Sequence, residues 1–266
     1  MKPLKAGSAV VDITPKNSQF LFGYPHVERY STGVENPLLS SSLYLDNGNN
    51  NIMYIANDII FIDRELSLRV RKRISGETGI KEGAIMVSAT HTHSGPITVN
   101  YLSNISDPIV PDADPEYMKL LEDGIVESGI QAFGNCRPAR AGLAVADGSG
   151  VGTNRRDPSG PADPQVPVLL VKEADTEEFI ACMLVYSMHP TVLHEDSTLI
   201  SGDFPSFTRE YLQNTFLGGP CPVLYNTGPE GNQSPRHVTS SNTFSEAKRL
   251  GEMLGRRIES VIGGIE

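Results

Sequence analysis

Residues 83–96 read GAIMVSATHTHSGP. The first seven are small, apolar or β-branched, the pattern of a short strand buried on both faces. The run turns polar at Thr90, sets His91 and His93 two residues apart, and closes at Gly95-Pro96. Open α/β sheets carry their chemistry at strand ends. Working outward, Arg64 to Ser75 holds Leu66, Val70 and Ile74 at helical spacing, and Pro115 to Phe133 is amphipathic through Met118, Leu120, Leu121, Ile125 and Ile130. A core strand with a helix on either side is the unit of an α/β chain.

The same reading extends to both ends. Ala6 to Ile13 reads as a strand. Leu43 to Leu45 and Ile52 to Ala56 flank Asp46-Asn-Gly-Asn-Asn-Asn51, a hairpin signal. Ala139 to Val145 and Pro222 to Asn226 are strand-like, and Val166 to Val171 pairs with Phe179 to Tyr186 around a polar turn. Ser201-Gly-Asp-Phe-Pro205 opens a helix, with Asp203 as cap and Pro205 in the first turn. Ser245 to Ile262 is the last helix, with Leu250, Met253, Leu254, Ile258 and Val261 on one face. Hairpins and crossovers alternate, which predicts an α/β fold: mixed β-sheets flanked by helices, in a single domain over residues 1–266. No internal repeat is visible in the sequence.

A chain of 266 residues with 39% hydrophobic content can bury a sizeable core. Its formal charge of −10 argues against a nucleic-acid partner, which needs a basic stripe. The basic clusters at Arg69–Arg73 and Arg256–Arg257 fall in helical patterns and read as solvated faces. Cys136, Cys182 and Cys221 are odd in number and far apart, so they fit neither a disulfide framework nor a CxxC site, and a reducing compartment is expected. No apolar run reaches the roughly 18 residues of a membrane helix, and no signal peptide is visible in MKPLKAGSAVVDITP. The chain as written is therefore expected in the cytoplasm.

Four stretches carry chemistry. In an extended segment His91 and His93 point to one face, so both imidazoles converge, as in part of a zinc site. HxH alone fits a hydrogen-bonded surface pair equally well. His189, in VYSMHPTVLH, lies at the end of a second apolar run, again before Pro; His194 follows a turn whose direction the sequence does not fix. Two strand-end histidine sites suggest a metal centre with an open position for water. The long loop NRRDPSGPADP offers Asn154, Arg155 and Arg156; an arginine there suits a developing oxyanion. The loop NTGPEGNQSPRH presents Ser234 among glycines, without a GxSxG elbow. That serine suits substrate hydrogen bonding or a plain turn.

Taken in order, Ala6-Gly7 through Asp12-Ile13-Thr14-Pro15, THTHSGP, NRR with its downstream ADP, HPT followed by SGDFP, and GNQSPR resemble the neutral/alkaline non-lysosomal ceramidase family over nearly the whole chain. The resemblance implies a zinc amidohydrolase that cleaves the N-acyl bond of ceramide to sphingoid base and fatty acid. It implies His91 and His189 as zinc ligands, His93 beside the metal as substrate contact or proton shuttle, Arg155 lining the site, and Ser234 near the substrate. This chain departs at Arg156-Asp157, where ceramidases continue Ser-Pro, and at Asn232, where they have Asp. The family completes its zinc with a Glu and a Tyr from downstream segments that have no counterpart before Glu266. The chain is accordingly expected to be a ceramidase-like catalytic domain lacking its C-terminal part, with His93, Asp203 and Asp58 as local candidates for a further ligand. The expected partner is a small-molecule or lipid amide. The alternatives are a metal-dependent hydrolase of another amide or ester, or a catalytically incomplete ligand-binding domain.

Overall fold

The computed structural model describes residues 3–101, 106–219 and 221–265. The first half of the chain is built from strands β1 (Lys5–Asp12), β2 (Leu39–Asp46) and β3 (Asn51–Asn57), helix α1 (Arg64–Thr78), strand β4 (Ile85–Ala89) and helix α2 (Pro115–Gly134). β1, β2 and β3 run antiparallel, and β3 pairs in parallel with β4 across α1. The turn expected at Asp46 to Asn51 is closed by the Asp46 and Asn47 side chains, which accept from backbone N–H groups ahead of them. Asp63 caps α1 and Asp114 caps α2, each accepting from a first-turn N–H.

The second half repeats this order. β5 (Arg137–Asp147), β6 (Gln165–Glu173) and β7 (Phe179–Tyr186) are antiparallel; α3 (Phe204–Leu212) crosses to β8 (Val223–Thr227), parallel to β7; α4 (Phe244–Ile262) follows. The strand order β8-β7-β6-β5-β1-β2-β3-β4 is therefore a palindrome of one six-element unit. The sequence shows no repeat because different residues fill equivalent places: Met53 and Ile55 under α1 and α2, Cys182 and Leu184 under α3 and α4.

The two halves stack face to face. Strand alternation splits each strand between two environments. In β3, Met53 and Ile55 face the helices while Tyr54 and Ala56 face inward. In β8, Val223 and Tyr225 face the helices while Leu224 faces inward. The inward residues Ala6, Leu43, Ala56, Val171, Ala181 and Leu224 form one buried layer contributed by both halves. Polar bridges cross the same layer: Ser8 Oγ donates to Ile180 O, Ser88 Oγ to Asn226 Oδ1, and Thr227 Oγ1 to Thr90 O. The architecture is helix, sheet, sheet, helix. In the outer layer Gly251 lets α4 touch α3: a Cβ there would lie 2.6 Å from Phe204 O.

The halves join at a narrow seam, Lys5 opposite Pro138 and Ala6 opposite Arg137. Past it β5 continues with β6 as its strand neighbour among the described residues, and Leu143 and Val145 are 79% and 56% exposed. Among the described residues no helix is long and apolar enough to cross a membrane.

Candidate metal centre

The parallel strand pairs of both halves end on the same side, and the loops leaving them meet. Past β4 the backbone does not stay extended. His91 adopts φ 66°, in the left-handed region, so the convergence of His91 and His93 arises from a turn and not from strand alternation. The turn is pinned: His91 N donates to Ile59 O, Thr92 Oγ1 to Ser201 O, and Ser94 N to Thr92 Oγ1. The outcome still matches the sequence expectation in one respect. His93 Nε2 lies 3.3 Å from His91 Nε2.

His189 enters from the other half, three residues past β7. Its ring centroid lies 4.8 Å from that of His91 and 5.9 Å from that of His93. One ring nitrogen from each of the three histidines falls within 4.8 Å of the others. Backbone carbonyls orient two of the rings. The His91 Nδ1–H donates to Ile60 O at 2.9 Å. The His189 Nδ1–H donates to Glu230 O at 2.9 Å and Gln233 O at 3.1 Å. Both Nε2 atoms then carry lone pairs, the arrangement of a metal-binding imidazole with a fixed tautomer.

His93 is held from behind. The Tyr24 ring meets it edge-on at 5.2 Å, and a Cβ on Gly23, whose φ is 128°, would lie 2.5 Å from its Cγ. The buried Arg29 guanidinium donates to His93 O, and to His194 O and Ser197 O at 3.1 Å each, tying the two histidine loops together. His93 Nδ1 is buried without a hydrogen-bond partner.

Burial sets the electrostatics. It lowers the pKa of His91, pushes His93 well down, and pushes His189 down to about 4, with neighbouring imidazoles and the Arg155 charge adding smaller effects. All three rings are neutral near pH 7, the form that binds metal. Burial also raises the Glu230 carboxyl to about 8, against the pull of Arg155. Glu230 Oε1 lies 3.6 Å from His91 Nε2, and its Oε2 lies 3.7 Å from His189 Nδ1. Sequence reading passed over Glu230, although it sits four residues before Ser234. Its only signal was a lone acidic residue in a Gly-Pro-rich loop after a strand.

The remaining sequence candidates are placed as follows. Arg155 lies at the edge of the cluster; its Nε donates to Gly231 O and its N–H to Asn232 O. Ser234 is buried in a two-residue bridge with Thr153, and its hydroxyl accepts from Arg236 N, capping the turn Pro235–His237. Asp58 and Asp203 do not join the imidazoles. Asp58 is buried against Arg209 at 2.7 Å, and Asp203 caps α3 while accepting from Leu193 N. Folding requires both carboxylates elsewhere. His194 is exposed.

The donor set fits a small divalent cation. Neutral imidazole nitrogens and a carboxylate, the groups gathered here, are the donors zinc takes. The unpartnered Glu230 Oε2 is a group a protein-only interior would have satisfied. His91 and His93 also line a pocket of about 250 Å³ walled by Phe22, Pro25, Ile60, Phe61 and Val110, with Asp107 at one side. An apolar cavity beside convergent polar groups is the usual form of a small-molecule site.

Comparison with known proteins follows the same lines. The profile of the N-terminal part of neutral/alkaline non-lysosomal ceramidases matches residues 4–214. Neutral ceramidase of Pseudomonas aeruginosa is 22% identical over 295 residues, covering 99% of this chain and 44% of that protein. Neutral ceramidase B of Dictyostelium discoideum is 21% identical, covering 86% and 35%, and neutral ceramidase of Mycobacterium tuberculosis is 24% identical, covering 81% and 36%. The crystal structure of the Pseudomonas aeruginosa enzyme superposes with a TM-score of 0.86 at 20% identity, over 99% of this chain and 45% of that one. The chain thus spans less than half the length of these relatives.

Proposed function

This chain belongs to the neutral/alkaline non-lysosomal ceramidase family, and from that premise we propose that it is a zinc-dependent hydrolase of N-acyl amide bonds acting on ceramide-like lipids, with residues 1–266 as a catalytic domain. The observation that supports this reading is the meeting of three neutral imidazoles beside an apolar pocket. His91 and His189 would hold the ion through Nε2. When bound, zinc supplies a Lewis acid that polarises a carbonyl and acidifies water.

The chain's own residues do the rest. The pocket walls Phe22, Phe61 and Val110 take an aliphatic arm of the substrate and exclude water from it. Arg155 faces the oxygen on which negative charge grows as the amide carbonyl becomes tetrahedral. His93 passes a proton to the leaving nitrogen through Nε2, the ring atom turned toward His91, since a neutral imidazole can accept and return it. Ser234 fixes the loop whose carbonyls orient His189.

The test is zinc content together with hydrolysis of a short-chain N-acyl sphingoid base, for wild type, His91→Ala and His189→Ala. The expected result is about one zinc per chain and turnover, both lost in each variant. Turnover that survives removal of the metal overturns the reading. Zinc without turnover on any acyl amide or ester would make the chain a ligand-binding domain.

A further inference from the structure

We infer that Glu230 supplies a carboxylate to the cation site. The inference rests on the reading that His91 and His189 hold a divalent cation. It goes beyond it by naming a carboxylate that the histidine reading does not include.

The first ground is position. The carboxylate stands beside both proposed ligands, Oε1 at 3.6 Å from His91 Nε2 and Oε2 at 3.7 Å from His189 Nδ1. Asp58 and Asp203, the other local carboxylates, are committed to Arg209 and to the α3 cap.

The second ground is an unmet demand. The Glu230 side chain is 13% exposed, and its Oε2 is buried without a hydrogen-bond partner. A buried carboxylate oxygen with nothing to accept is costly and uncommon. The nearby guanidinium of Arg155 makes no hydrogen bond to this oxygen; its Nε donates to Gly231 O. A cation held between His91 Nε2 and Oε1, the oxygen 3.6 Å away, would give the buried carboxylate a charged partner.

The third ground is the loop. Gln233 N donates to Glu230 O at 2.7 Å, Gln233 Nε2 to Pro229 O at 3.1 Å, and Arg155 N to Asn232 O at 2.7 Å. The segment is held from several sides, so the carboxylate is delivered to one place. The Glu230 carbonyl also accepts from His189 Nδ1. One residue therefore orients an imidazole through its backbone and adds a negative donor through its side chain. Two imidazoles and one carboxylate form a set that catalytic zinc uses, with the fourth position open. His93 is then left beside the metal for the proton.

The experiment measures zinc affinity by competition with a chromophoric chelator, and the visible spectrum of the cobalt-loaded protein, for wild type, Glu230→Gln and Glu230→Ala. Orienting partners that do not touch a metal cost roughly 10–100-fold in affinity when removed. A loss beyond that range in both variants, with an altered cobalt spectrum, is expected. A smaller loss with an unchanged spectrum overturns the inference and leaves the histidine site standing. If wild type binds no zinc, the histidine reading and this inference both fall. Thermal melts of the metal-free proteins establish that each variant is folded.

Discussion

At the scale of single residues, the site is a set of groups held against their preference. His189 is neutral because burial holds its pKa near 4, whereas the unfolded chain takes up a proton near 6.5. The metal-free protein therefore loses stability as pH falls through this window, and one pKa unit is worth about 1.4 kcal/mol, so His189 alone accounts for roughly 3 kcal/mol. His91 and His93 act in the same direction. Glu230 has the opposite sign. Its folded pKa is raised to about 8 from 4.5, so it costs stability as pH rises between those values. Metal-free melts should peak near pH 6.5, and Glu230→Gln should flatten the alkaline side. An alkaline decline that persists in Glu230→Gln would assign it to other groups. A second prediction concerns Gly23. Alanine there meets the His93 ring, and a misplaced catalytic group costs on the order of 100-fold in rate. On the proposed function, Gly23→Ala loses turnover and keeps the metal, both measured on the same sample. The sequence made the two histidines legible as a pair, but it pointed to the wrong conformation. Extended alternation was the natural inference from a strand-like run, and the left-handed turn at His91 depends on carbonyls of residues 59 and 60. Glu230 stayed illegible because burial, which makes it informative, is not written locally.

At the scale of elements, the reading was close. Each long strand and helix predicted from periodicity is present, with ends moved by a few residues. α1 extends three residues past Ser75 to Thr78, and β4 starts at Ile85 because Glu82–Ala84 forms a 3-10 turn. Apolar spacing and capping residues are local signals, and the core follows them: Leu250, Leu254 and Ile258 on α4 are fully buried. What periodicity could not show is how elements of different halves are tied. The ion pair of Asp58, just after β3, with Arg209 on α3 is the clearest case, since both side chains are buried and 151 residues separate them. Breaking a buried pair by removing one charge costs about 3–5 kcal/mol. Asp58→Asn should destabilise by that amount in urea denaturation; a change under 1 kcal/mol would show that the pair contributes little.

At the scale of the whole molecule, two similar units share one inner layer, and the site lies where their loops meet. His91 belongs to the first unit, His189 and Glu230 to the second. A buried layer supplied by both sheets predicts one cooperative transition. Leu224→Ala, in that layer, should cost about 2–5 kcal/mol and keep a single calorimetric peak. Two peaks would mean that the halves unfold independently. The pairing of the halves was invisible in sequence, because the seam between them is only two residue pairs long. The same shortness has a practical effect on how the protein behaves in a tube. Beyond the seam, β5 offers a bare strand edge with Leu143 and Val145 turned to solvent. Bare apolar edges recruit other chains. Concentrated samples should self-associate through this strand, visible as a light-scattering mass that grows with concentration. Leu143→Lys should hold the mass at that of one chain and leave the histidine cluster unchanged.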